Sequence, residues 1–136
     1  MSVIEDLLIK EEGYRQFPYR CTAGKLTIGI GFNLDDVGLS REESLMILQS
    51  RVEKLTTTLV KNYTWFEGLN EARQAAIISM VYQLGYHGFS KFVRTHEALD
   101  AGNYDKAAEY MLESQWAKQT PARAKRAATI MRTGQP

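Results

Sequence analysis

At 136 residues, with 44% hydrophobic and 24% charged side chains and a formal net charge of +1, the chain fits a single domain and is not a strongly basic nucleic-acid binder. Its one cysteine, Cys21, rules out an internal disulfide framework, so the fold must rest on its apolar core. No apolar run approaches the roughly 20 residues of a membrane span, and residues 1–10 lack the basic start and long apolar middle of a secretory signal, so folding in a cytoplasm is expected.

Ser2 followed three residues later by Glu5 is a capping box, and Ile4, Leu7 and Leu8 recur at helical spacing until Gly13, which suits a helix cap; a first helix ending at Glu12 is predicted. Residues 16–20 and 25–32 read as a hairpin with Gly24 in its turn. Period-two alternation over the second strand predicts Leu26, Ile28, Ile30 and Phe32 on a packing face. Thr27, Gly29 and Gly31 fall on the other, which is bare apart from Thr27.

Residues 33–39 form a short linker, and Ser40 with Glu43 is a second capping box that opens a long helix with an apolar stripe from Leu45 to Leu59. After Asn70, a plausible N-cap, residues 72–84 are apolar nearly all round until Gly85, as befits the central helix of a helical lobe. Further helices are predicted at about 89–101, 103–113 and 121–132, the last with Pro121 at its first position and Gly134 beyond its end. The segment from Lys118 onward also holds Arg123, Lys125, Arg126 and Arg132 and no acidic residue. Such a patch suits either contact with an anionic polymer or a solvated helix face. The pattern is α+β and mostly helical: a small N-terminal lobe at about 13–39, a connecting helix at about 40–62 and a helical lobe at about 63–136, with the first helix packing on the helical lobe.

Hydrolysis of a glycosidic bond needs an acid for the leaving oxygen and, in an inverting enzyme, a group opposite it that positions and activates water. Glu12, at the negative end of a helix dipole, favours the protonated form that such an acid requires. Cys21 and Thr27 flank the hairpin turn, where antiparallel pairing brings them within several ångströms, in a register the sequence does not fix. Taken alone, a glutamate before glycine at a helix end is more often just a solvated terminal residue. His87 and His96 lack partners at metal-ligand spacing, and Gly29 and Gly31 do not form a phosphate-binding loop.

Glu12-Gly13, Cys21 and the run Thr27-Ile28-Gly29-Ile30-Gly31, followed by residues 75–85, 116–126 and 132–134 in the same order, resemble the phage-type lysozymes of glycoside hydrolase family 24. The resemblance covers nearly the whole chain. It implies the two-lobed lysozyme fold, muramidase activity on bacterial peptidoglycan without a cofactor, and a monomer that neither binds nucleic acid nor inserts into membranes. It further implies accumulation in a host cytoplasm and later release to the wall for host lysis.

By the same resemblance Glu12 is the catalytic acid and Arg123 the arginine that pairs with it, while Glu11 and Arg126 match a second, structural pair. Tyr82, Gln83, Phe92 and Thr95 match substrate-groove positions, and Trp116 and Trp65 read as core aromatics. Three departures stand out. Cys21 occupies a position usually held by aspartate, residues 32–40 are shorter than in relatives, and Phe32 replaces a histidine. A thiol with an ordinary pKa of about 8.5 is a poor base at neutral pH, so Cys21 is expected mainly to position water beside Thr27, with a covalent thioglycosyl intermediate as the lesser alternative. A catalytically inactive peptidoglycan-binding module is the competing expectation, and a helical nucleic-acid binder a weaker one.

Overall fold

The computed structural model describes residues 2–136, and the chain divides into two compact units with their boundary between Ile47 and Leu48. The first begins with helix α1 (Val3–Glu12), and the predicted capping box forms: Ser2 Oγ accepts from the Glu5 amide at 3.2 Å, while the Ser2 amide donates to Glu5 Oε2 at 2.8 Å. The helix stops because Gly13 adopts φ 70°, a conformation open to glycine, and its amide closes on the Ile9 carbonyl at 2.8 Å.

Strands β1 (Arg15–Arg20), β2 (Leu26–Gly29) and β3 (Phe32–Asn33) form an antiparallel sheet in that order. Pro18 is tolerated because β1 is an edge strand, and the β1–β2 register slips between Arg15 and Tyr19 around it. Beyond the slip, Tyr19 faces Thr27 and Arg20 faces Leu26. The single long strand predicted over residues 25–32 does not form. Gly29 and Gly31 take φ 67° and 65°, the chain reverses, and Phe32 pairs back with Ile28. The facing assignment is therefore corrected as well: Thr27 is the buried residue of this sheet at 4% exposure, while Phe32 is 50% exposed.

The short segment after β3 is stitched to the hairpin rather than packed on it. Asp35 Oδ2 accepts from the Leu26 amide at 2.7 Å and from Arg20 at 3.2 Å, and Lys25 reaches Asp36 at 3.2 Å. The two ion pairs are exposed and contribute under about 1 kcal/mol each; the bond to the Leu26 backbone fixes the segment's position.

Helix α2 (Arg41–Asn62) opens with the second capping box, Ser40 with Glu43, and ends in the second unit. There Leu59 is fully buried and Leu55 packs on the core. Helix α3 (Glu71–Ser90), capped by Asn70, supplies the centre of that core with Ala76, Ile77, Met80 and Val81. Gly85, predicted to end this helix, only interrupts it, with φ 78° and ψ 159°; helical geometry resumes and carries the element to Ser90. The helix predicted at about 89–101 accordingly starts later, as α4 (Val93–Asp100), with Phe92 at its N-cap.

Helices α5 (Tyr104–Glu113) and α7 (Pro121–Thr133) match their predicted spans, and a five-residue helix α6 (Gln115–Gln119) lies between them. The start of α3 and the end of α7 are tied together by polar bonds. Asn70 Nδ2 donates to the Gly134 carbonyl at 3.0 Å and Arg73 Nε to the Met131 carbonyl at 2.8 Å, so α3's N-terminus meets the last turn of α7. Met111, Met131, Phe66 and Phe89 complete the core. No helix among the described residues is long and apolar enough to cross a membrane.

Candidate active site

In the first unit, Gly13 ends α1 with Glu12 exposed in its last turn. The carboxyl group lies against Gly31 in the β2–β3 turn: a methyl group built there would stand 2.6 Å from Glu12 Cδ and 2.9 Å from Cγ. Glycine is thus required twice at position 31, by its positive φ and by the carboxyl packed on its backbone. Sequence reading placed Gly31 on a bare strand face. The closely spaced pair Gly29 and Gly31 was the signal that marked a close approach instead.

Cys21 follows β1, with its amide donating to the Lys25 carbonyl at 3.0 Å and its carbonyl accepting from Gly24 at 2.8 Å. Continuing the register of Arg20 with Leu26 sets Cys21 opposite Lys25, so Thr27 is its diagonal neighbour on the same face. The half-buried thiol is held below its ordinary pKa. The backbone amide of Lys25 is the main cause and that of Ala23 the next; burial opposes them, and the Thr27 hydroxyl adds to them.

Thr27 Oγ1 has one proton, and it is donated to the Lys25 carbonyl at 2.9 Å. The hydroxyl therefore has only lone pairs left to offer and steadies a thiolate only by giving up that bond. The two amides carry the effect without such competition.

The remaining predicted residues belong to the second unit. Arg123 Nη2 donates to both the carbonyl and the hydroxyl of Ser79, each at 3.0 Å, beside Arg126 in a hollow of about 460 Å³. Phe92 and buried Thr95 line a cavity of about 450 Å³ together with Trp116, Tyr110 and the Arg94–Glu113 ion pair. Gln83 is joined to that cavity through its Oε1, which accepts from Trp116 Nε1 at 2.8 Å. Trp116 is thus a core aromatic with a polar handle, which reading it as a core residue alone had missed. Tyr82, half exposed, lies instead on a separate groove with Arg51, Lys54 and Gly85. Among the described residues, no group of three or more His, Cys, Asp or Glu side chains is placed to hold a metal ion.

Residues 9–132 match the family model for phage lysozyme. The chain is 29% identical to the probable T4-type lysozyme 1 of Dictyostelium discoideum, over 98% of this chain and 96% of that protein. That alignment runs over 163 positions against a chain of 136 residues, so the relative carries internal segments that this chain lacks. An endolysin of Acyrthosiphon pisum secondary endosymbiont phage 1 is 30% identical over 82% of this chain and 75% of its own length. The pre-baseplate central spike protein Gp5 of Enterobacteria phage T4 is 28% identical over 98% of this chain, which corresponds to 28% of the spike protein.

Proposed function

The chain belongs to the phage lysozyme family, and from that we propose that it is a muramidase. It cleaves the β-1,4 bond between N-acetylmuramic acid and N-acetylglucosamine in bacterial peptidoglycan, with inversion and for host lysis. It acts as a monomer after accumulating in the host cytoplasm. The observation that carries this reading is the β2–β3 turn that receives the Glu12 carboxyl group at Gly31, on the sheet whose register sets Cys21 diagonal to the buried Thr27.

In the proposed reaction Glu12 donates its proton to the glycosidic oxygen as the bond from C1 to that oxygen breaks. A water on the opposite face of the sugar donates one hydrogen bond to Thr27 Oγ1, whose own proton is engaged by Lys25, and a second to the Cys21 sulfur. As the water oxygen bonds to C1, its proton passes to the thiolate. The lowered pKa of Cys21 supports this step, since it enlarges the thiolate fraction near neutral pH. Arg123 is the proposed supporting cation for Glu12. Tyr82, Gln83, Phe92 and Thr95 are the proposed sugar-contacting residues, their aromatic faces with amide and hydroxyl groups suiting a carbohydrate.

Lysis of purified cell walls by the protein, beside Glu12→Gln, Cys21→Ser and Cys21→Asp, tests the reading. Glu12→Gln is expected to lose about 10²–10⁴-fold in rate with its melting temperature retained. Cys21→Ser is expected to lose most activity and Cys21→Asp to keep it. Wild-type protein that binds walls and leaves them intact would establish a binding module instead. The anomeric configuration of the first-formed product, read by NMR, decides inversion.

A further inference from the structure

We infer that the groove beside Tyr82 is a carboxylate-recognising subsite for the stem peptide of peptidoglycan, selected by Arg51 and Lys54. The inference rests on the wall-glycan reading above and names a second part of the substrate. Arg51, Lys54, Leu55 and Thr58 fall at i, i+3, i+4 and i+7 and so share one face of α2. Val81, Tyr82 and Gly85 face them from α3, and the space enclosed is about 370 Å³, room for a short peptide segment.

The groove has an apolar floor and a cationic wall. Val81 is fully buried and Leu55 packs on the core, while the Tyr82 ring is 46% exposed. A methyl group built on Gly85 would meet nothing within 4 Å, so the break in α3 leaves that end of the groove open. No acidic side chain lines it. The ion pairs among the described residues use Arg20, Lys25, Arg94 and Lys106, which leaves Arg51 and Lys54 uncommitted. The Thr58 hydroxyl gives its proton to the Lys54 carbonyl at 3.0 Å, so the two cations are the groove's charged donors.

Two cations beside an aromatic ring and an apolar floor fit an anion that carries small apolar groups. In peptidoglycan the carboxyl group of muramic acid is consumed in the amide bond to the stem peptide, so the polymer's free carboxylates lie on that peptide, next to alanine methyl groups. A phosphodiester wall polymer offers charge without the methyl groups and suits the floor poorly.

The experiment uses the Glu12→Gln protein, so that ligand is not cut, and measures binding of soluble disaccharide-peptides by calorimetry. The free-acid form is expected to bind roughly tenfold more tightly than the same muropeptide with its carboxylates amidated. That ratio is expected to fall to near one in Arg51→Gln/Lys54→Gln and to return in Arg51→Lys/Lys54→Arg, with circular dichroism confirming that each variant is folded. Equal affinity for the two forms, no binding of either, a ratio that survives in the double glutamine variant, or equally tight binding of a glycerol-phosphate oligomer would overturn the subsite. Wall lysis by the wild type separates the two claims. Selective binding without lysis overturns the hydrolase reading alone, and lysis without selectivity overturns the subsite alone.

Discussion

The single proton on Thr27 Oγ1 limits what Cys21 can do. While that proton sits on the Lys25 carbonyl, Thr27 acts only as an acceptor, and the thiolate depends on the amides of Lys25 and Ala23. If the thiolate is the base, the active form holds the Glu12 proton and the thiolate together, so activity falls on the alkaline side through a midpoint below the ordinary thiol value of about 8.5. In Cys21→Asp that midpoint is expected to move to the carboxylate range near 4, as read from the pH dependence of kcat/KM. An unchanged profile would exclude Cys21 as the titrating base. Gly31→Ala tests the other half of the site. The added methyl group meets the Glu12 carboxyl, and φ 65° is strained for alanine, so activity is expected to fall at least about tenfold and stability by about 1 kcal/mol. Retention of full activity would show that the carboxyl group need not rest on this turn.

Helix ends were the most legible part of the sequence because their signals are local. Ser2 with Glu5, Ser40 with Glu43, and Gly134 each mark a boundary through bonds to residues three or four positions away, and Pro121 marks one through its fixed φ and missing amide proton. The β2–β3 reversal was not legible. Alternation from Leu26 to Phe32 continues in the letters while the backbone turns at Gly29 and Gly31, and periodicity does not register φ. Helix α6 escaped because five residues carry too little pattern, and α3 ran past Gly85 because packing of Phe89 in the core favours its continuation. At the candidate site, Glu12, Cys21 and Thr27 stand out in the sequence through the family resemblance and not through spacing alone, and the backbone amides of Lys25 and Ala23 that lower the thiol's pKa carry no side-chain signal. Caps also differ in reach. Ser40→Ala loses a local cap worth about 1 kcal/mol, whereas Asn70→Ala loses its cap on Arg73 and its bond to the Gly134 carbonyl as well. Chemical denaturation is expected to show the larger loss for Asn70→Ala; equal losses would mean that the tie to α7 contributes nothing.

The stability of the protein as a function of pH has a marker in the second unit. His96 stacks on Tyr63 at 4.7 Å and meets the edge of Phe89 at 4.5 Å, with Trp65 at 5.8 Å. Its Nε2 bonds to the Phe89 carbonyl at 2.8 Å, which makes Nε2 the protonated nitrogen and leaves the buried Nδ1 without a partner. Burial lowers its pKa, opposed by the Phe89 carbonyl, while burial of Tyr63 and its bond to Tyr86 push that phenol up to about 12, so the cage stays neutral. The folded protein thus binds this proton less readily than the unfolded chain. The stabilising contribution is complete above the unfolded value of about 6.5 and is lost as pH falls from there toward the lower folded value. Glu5 and Glu43, lowered by their capping bonds to Ser2 and Ser40, contribute in a separate, more acidic window below about 4.5. Melting temperature is expected to decline between pH 7 and pH 5 in the wild type and to stay flat there in His96→Gln; parallel curves would remove His96 as the cause.

The bond from Trp116 Nε1 to Gln83 joins a fluorophore to the cavity lined by Phe92 and Thr95. An indole that is 4% exposed and hydrogen-bonded emits at a wavelength set by this one partner and by whatever fills the space beside it. With Trp65 replaced by phenylalanine, the protein would contain a single emitter, since the chain has only two tryptophans. The molecule therefore has an intrinsic optical gauge of cavity occupancy, and ligand arrival can be timed without attaching a label.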